Sequence, residues 1–297
     1  MFKTALRALA LTLAATGAAH AADGSTLNYS LTPVLIGDFN LDSGGKASGT
    51  WMTADFAYTK ALDAQRQVGL SFGAGRQNWS FDHPTAWGGK TPFETLHRFN
   101  LALNYTYMSQ SGWMYNFDTG VSYAGESEAK TSDSLSYGAT AFAAKMLQPG
   151  LLLGVGVSAW TGLDDASVFP FVVVNWQINE NWHLGNPLAS GPAGPAGLEL
   201  SYKVNPKFEL GVGGTWRSFE HRLAQKNAVA AGGRVEQNSV PVFVRAGYQF
   251  SREFALDLHV GAAMAGEIII DNAQGQEISK EKHDAMPFAA ISVSGRF

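Results

Sequence analysis

Asp257 and His259 stand two residues apart, and Ser292 and Ser294 keep the same spacing near the end of the chain. An acid, an imidazole and a hydroxyl are the parts of an acyl-transfer relay, in which the acid orients the imidazole and the imidazole takes the hydroxyl proton. On extended backbone Asp257 and His259 would lie about 7 Å apart on one face, a spacing that permits a hydrogen bond without enforcing one. Neither a G-x-S-x-G elbow nor an H-E-x-x-H helix accompanies them, so the chain is expected not to be an enzyme. The same alternation puts Glu209, Arg217, Arg245, Asp257, His259 and Arg296 on one face of neighbouring strands. Confined charges must pair or meet water, so these six are expected to form a polar network, with a role in selecting solutes as the sharper reading.

The other chemistry-bearing residues are scattered. His83, His221 and His283 are expected to stand alone in loops and His97 on an outward row, and the chain has no cysteine. No metal and no cofactor is therefore expected. Asp164 and Asp165 in "TGLDDAS" fall short of the oxygen count of a calcium site and read as a solvated turn. Arg217, Arg222 and Lys226 in "WRSFEHRLAQK" would suit the phosphates of lipopolysaccharide if that stretch were an outer loop.

What positions these residues is a series of period-two segments. In "FNLALNYTYMSQSGWMYNFDTGVSY", residues 99–123, the row Phe99, Leu101, Leu103, Tyr105 and Tyr107 is apolar, and Trp113, Tyr115, Phe117, Val121 and Tyr123 continue it after a polar turn. Asn100, Asn104, Asn116 and Asp118 fill the opposite row. Similar alternation opens at Tyr29 and closes at Phe297, while 168–178 is apolar on both rows. This is an all-β pattern. Short connections near 61–65, 109–112, 148–150, 179–181, 205–206 and 251–252 alternate with longer polar stretches near 40–49, 81–94, 125–134, 162–167, 187–195, 220–237 and 266–285. That rhythm predicts an up-and-down meander of 14 strands, alternatively 12, counting a minimal strand at 182–186. The "GPAGPAG" stretch at 191–197 reads as a flexible loop.

Periodicity alone does not separate a soluble sandwich from a membrane barrel. Charged residues are only 15% of the chain, against roughly 25% in soluble domains. The polar rows are rich in Gly, Ala, Ser, Asn and Gln rather than Lys and Glu, which suits a confined wet lumen, and aromatics gather at strand ends as in an interfacial girdle. No apolar run after the N-terminal segment is long enough for a membrane helix. The N-terminal "MFKTALRALALTLAATGAAHA" has Lys3 and Arg7 before an Ala-rich apolar run and an A-x-A site, the pattern of a secretory signal cleaved after Ala21. Residues 1–21 are thus expected to leave and 22–297 to form one domain. The net charge of −4 becomes more negative once Lys3 and Arg7 are lost, which argues against nucleic acid as a partner.

The closing "AAISVSGRF" resembles the C-terminal strand of Gram-negative outer-membrane β-barrels, with Phe297 preceded by Val293 and Ile291, and with Gly295 where a larger residue is common. "NENWHLGNPLASGPAGPAGLELSYKVNPKFELGVGG" is similar to an uncharacterised group of such barrels. The resemblance implies a transmembrane antiparallel β-barrel in the outer membrane, reached through the periplasm. Outer-membrane lipid and lipopolysaccharide would surround it, and the assembly machinery would recognise Ile291, Val293 and Phe297. The expected function is a non-enzymatic barrel passing small solutes, with a non-conducting surface barrel and a lipid-modifying enzyme as alternatives.

Overall fold

The computed structural model describes residues 24–187, 192–251 and 253–297, so the cleavage site expected after Ala21 lies outside the described residues. The strands are β1 (Ser25–Asn40), β2 (Lys46–Ala61), β3 (Arg66–Asp82), β4 (Thr95–Met108), β5 (Trp113–Glu126), β6 (Leu135–Gln148), β7 (Leu151–Trp160) and β8 (Ser167–Gln177). They continue as β9 (Trp182–Gly185), β10 (Gly197–Asn205), β11 (Phe208–Thr215), β12 (Arg217–Arg222), β13 (Arg234–Gln249), β14 (Ala255–Asp271), β15 (Glu277–His283) and β16 (Met286–Arg296). β11 and β12 both pair with β13, and β15 and β16 both pair with β14, so each pair is one broken stave. The result is a closed antiparallel barrel of 14 staves, the larger of the two expected counts.

Closure joins the first and last strands. β1 pairs with β16 from Asn28↔Arg296 to Ile36↔Phe288. Across that seam Thr32 Oγ1 donates to Ser292 Oγ at 2.9 Å, and the Tyr29 ring stacks on Phe297 at 5.6 Å. A closed sheet satisfies its own backbone, the condition for crossing hydrocarbon. β9 has only four residues, and the Asn186 side chain extends its role: Oδ1 accepts from Val174 N, while Nδ2 donates to Val172 O and Gly197 O.

The apolar row of the 99–123 hairpin faces outward. Leu103 is 59% exposed and Val155 on β7 is 68% exposed, whereas Ala102, Thr106, Asn116 and Asp118 are buried inside. Such a band of exposed Leu, Val and Phe is stable only against lipid. No helix among the described residues is long and apolar enough to cross a membrane; the strands are what cross.

The interior corrects the expectation of a wet lumen. Towards the long-loop end it is packed by Ile36, Phe39, Trp79, Trp87, Phe93, Val235, Ile268, Ile270 and Phe288, and a second cluster joins Met114, Phe142, Leu152, Phe171 and Val173. The small and amide rows of β4 and β13 are real, but the inward rows of β3 and of β6 to β8 bring large apolar groups to face them. Inward Gly138 makes room for one of these, since a Cβ there would overlap the Trp160 indole.

Several expected loops are also sheet. Residues 266–285 form the upper part of β14, a turn at 272–276 and β15, because Ile268, Ile269 and Ile270 find a buried face above the membrane wall. Residues 220–237 are largely β12, β13 and the 223–233 connection. β12 leans across the mouth, where Arg222 bridges Gly125 of β5 on the far side of the ring, and its last residues are buried on both faces. The described part of the "GPAGPAG" stretch is also buried in the barrel, with Ala193 O accepting from Thr215 Oγ1 at 2.8 Å; it is not a free loop.

Candidate functional site

The interior holds three polar or aromatic levels, stacked along the barrel axis. At the short-turn end Arg245 on β13 gathers three carboxyl groups. Its Nε donates to Glu199 Oε1 at 2.7 Å, its Nη1 to Asp257 Oδ1 at 2.7 Å, and its Nη2 to Glu209 Oε1. Glu199, Arg245 and Asp257 are each about 95% buried, so the charges depend on one another rather than on water. Inward glycines open the space: a Cβ at Gly211 would overlap Glu199 Oε1, and one at Gly247 would crowd Asp257 Oδ1 and Arg245 Nη1.

Of the six network residues expected, the structure brings Glu209, Arg245 and Asp257 together. Glu199 joins them: it alternates with Leu198, Leu200 and Tyr202 along β10, which places it on the inward row. His259 is buried beside them, in register with Arg245 and with its ring 5.8 Å from that of Phe243. Asp257 Oδ1 accepts from Arg245 Nη1 at 2.7 Å, and Ser292 Oγ accepts from Thr32 Oγ1 at 2.9 Å. Arg296 sits at the short-turn rim in register with Asn28, and Arg217 belongs to a higher level.

That middle level is aromatic. Arg217 lies over the Phe219 ring at 4.4 Å and the Trp51 ring at 5.3 Å, and Arg98 lies over Phe219 at 4.5 Å. Cation–π contact of this kind holds a guanidinium against the ring faces. Above it Phe39, Trp51, Trp79, Phe219, Ile268 and Met286 wall a cavity, with Gln237, Asn238 and His283 on its remaining side. Irregular ladders at one height aim these residues inward, as bulges commonly do near sites. β1 shifts register between Ile36 and Phe39, and β13 shifts against β14 between Asn238 and Val240. Ala265 has φ 50°, and the β15–β16 break falls in the same band.

The top level is a cap. Arg222 Nη2 donates to Asp164 Oδ1 at 2.6 Å and to Leu163 O at 2.8 Å, while its Nε donates to Asp133 O at 3.1 Å. Arg234 pairs with Asp271 and approaches Asp164 at 3.4 Å. Glu126 Oε2 accepts from Ala224 N and from Asn227 Nδ2. These facts correct two expectations: Asp164 is an ion-pair partner rather than a solvated turn residue, and Arg217 and Arg222 face inward, away from lipopolysaccharide. Lys226 of that stretch is exposed.

The histidines also differ from expectation. His221 is buried on β12, and His283 on β15 packs its ring 4.5 Å from Phe39. His83 is exposed beside Asp82, and His97 on β4 meets Ser127 Oγ at 3.2 Å. Among the described residues no group of three His, Asp or Glu side chains is placed to hold a metal.

No curated protein matches the chain. Among solved structures, the COG4313 outer membrane channel of Pseudomonas putida F1 superposes with a TM-score of 0.50 at 8% identity, covering 92% of this chain and 96% of that one. A deltaS2 mutant of the TodX monoaromatic hydrocarbon channel gives a TM-score of 0.50 at 10% identity, covering 93% and 91%. At these identities the likeness is one of fold, and it agrees with the barrel described above. The family described as Domain of unknown function (DUF6268) matches residues 89–294, most of the barrel wall with the cap. The chain belongs to the DUF6268 family, built as an outer-membrane β-barrel of 14 staves.

Proposed function

We propose that this barrel is a non-enzymatic outer-membrane channel for small, largely apolar solutes. The observation that carries this reading is the aromatic interior: Phe39, Trp51, Trp79, Phe81, Phe93 and Phe219 point into a closed barrel whose outer wall already satisfies the lipid. A barrel that only anchored loops would not need a partly open cavity behind its cap, and a water-filled porin would keep a polar lumen. The fold likeness to a channel from Pseudomonas putida F1 and to a monoaromatic hydrocarbon channel supports the reading. The Arg245 cluster, three carboxyl groups on one cation, gives the periplasmic side a negative field that would repel anions. The engagement of Asp257 by Arg245 supports the non-enzymatic part.

A second reading is favoured by the cap, whose bonds across the mouth suit a non-conducting surface barrel. Barrel-dependent uptake of a small apolar solute by cells with intact lipopolysaccharide separates the two; equal uptake with and without the barrel would remove the channel reading. We also assign the assembly machinery as a partner of β16, on the outward placement of Ile291 and Phe297.

A further inference from the structure

Arg76 on β3 stands on the lipid-facing row of the wall. Val68, Leu70 and Phe72 on that row are exposed, while Ser71, Gln77 and Trp79 on the opposite row are buried inside. Across the ladder Arg76 lies between Met52 of β2 and His97 of β4. A cation on the outer wall costs about 2–4 kcal/mol at the bilayer midplane and about 0–1 near the interface, so its height decides what it can meet. The eight residues from Val68 to Arg76 span roughly 26 Å of strand, or roughly 20 Å of height at the usual tilt. The apolar band of such barrels is about 25 Å tall. Arg76 therefore sits at the outer edge of that band, level with lipid headgroups.

Its neighbours mark the same boundary. Below it Phe72, Phe99 and Leu101 are exposed to lipid. Beside His97 comes Gly125 of β5, where a Cβ would crowd the Tyr123 hydroxyl, so Tyr123 turns its polar end to this height. Tyrosines gather at membrane interfaces in this way. Above Arg76 the row turns polar, with Asn78 opposite Thr95.

The guanidinium is held in place but not neutralised. Asn78 Oδ1 accepts from Arg76 Nε at 2.9 Å and from Thr95 Oγ1 at 3.3 Å. That fixes the base of the fork and leaves its two terminal nitrogens for another group. Arg76 forms no ion pair among the described residues, whereas Arg222, Arg234, Lys130 and Lys280 towards the same end each have a carboxylate. A planar fork of N–H donors matches the oxygens of a phosphate.

We propose that Arg76, with Asn78, Thr95 and His97 around it, is a binding site for the phosphate of an outer-leaflet lipid. The terminal nitrogens of Arg76 donate to the phosphate oxygens, and the acyl chains pack on Met52, Phe72 and Phe99. A free anion would use the fork and leave that apolar surface unused. The site does not depend on the channel reading, and it puts the lipid contact on the β3–β4 wall rather than on the 216–226 stretch.

The test is native mass spectrometry of the full barrel, folded in detergent micelles, with diphosphorylated lipid A, the same lipid stripped of both phosphates, and inorganic phosphate. Arg76→Gln removes the charge, Lys226→Gln removes an exposed cap lysine as a control, and a retained heat shift on gels confirms that both variants fold. One retained lipid A per barrel is expected, with affinity about tenfold lower for Arg76→Gln and for the stripped lipid, and unchanged for Lys226→Gln. Excess inorganic phosphate should not displace it. Equal binding by wild type and Arg76→Gln, equal binding of the two lipids, an equal loss with Lys226→Gln, or displacement by inorganic phosphate would each overturn the site.

Discussion

Arg222 at the end of β12 and Asp164 in the connection between β7 and β8 meet across the mouth of the barrel, Nη2 to Oδ1 at 2.6 Å. The bond is possible because β12, still paired with β13 along its length, leans inward until Arg222 bridges Gly125 of β5. It fastens the 161–166 connection to the cap, and Arg222 Nε fastens the 127–134 connection through Asp133 O.

Arg222→Ala should therefore release the cap. Removing one partner of a buried pair costs about 3–5 kcal/mol, here towards the lower end because the Asp164 carboxylate is 22% exposed. Hydrogen exchange should rise in 127–134, 161–166 and 223–233 while the strands below stay protected. Single-channel recordings should show larger or more frequent openings than wild type. Unchanged exchange in all three segments would contradict a cap held at this residue.

The Arg245 level predicts a rescue. Arg245→Met leaves Glu199, Glu209 and Asp257 without their shared cation and should destabilise the barrel by about 3–5 kcal/mol, read as a lower urea midpoint. Adding Glu199→Gln should recover part of that loss. Gly211→Ala, which displaces the Glu199 carboxylate without touching a charge, should lower the midpoint as well. A double variant no better than Arg245→Met would show that the cluster is not one electrostatic unit.

Wall orientation is tested by a pair of lysines one residue apart. Leu103→Lys places a charge on the lipid face, where the cost is about 2–4 kcal/mol near the midplane. Asn104→Lys points into the lumen beside Asp118, which Asn104 already contacts through Nδ2 to Oδ1 at 2.6 Å. Insertion into lipid vesicles should fall for the first and hold for the second. Equal insertion would contradict the assignment of faces.

This contrast also marks what was readable from sequence. Parity along a strand tells which face a residue takes, so the lipid belt and the shared face of Glu209, Arg245 and Asp257 were legible. Parity says nothing of height. Arg217 shares that face, yet its partner Ser239 lies six residues from Arg245 on β13, roughly 20 Å along the strand, and it joins Trp51 and Phe219 instead. The cap was hidden for a different reason. Asp164 and Arg222 are polar residues in polar stretches, and only the inward lean of β12 makes them partners. The middle isoleucine of "EIII", Ile269, breaks the alternation, because a strand rising above the membrane no longer needs one lipid face.

His283 gives the long-loop end of the barrel a pH dependence. Burial holds its imidazole below the ordinary histidine value of about 6.5, only partly offset by the hydrogen bond with Asp284 O and nearby carboxylates. The folded state thus binds fewer protons than the unfolded state just below that value. Its stabilising contribution is complete above about pH 6.5 and is lost as pH falls through the folded value. Exchange at the amides of Asp42 and Asp284, which bond Lys282 O and Asn40 O, should rise on acidification, and His283→Asn should remove most of that rise. The same acid response in the variant would assign it to another group.

The central claim is that the aromatic interior admits small apolar solutes through a capped barrel. Initial uptake of a radiolabelled small apolar solute by cells with intact lipopolysaccharide tests it most directly, comparing cells with the wild-type barrel and cells without it. The account predicts uptake above the barrel-free rate for cells carrying the barrel. Uptake by wild-type cells equal to that of barrel-free cells would contradict it.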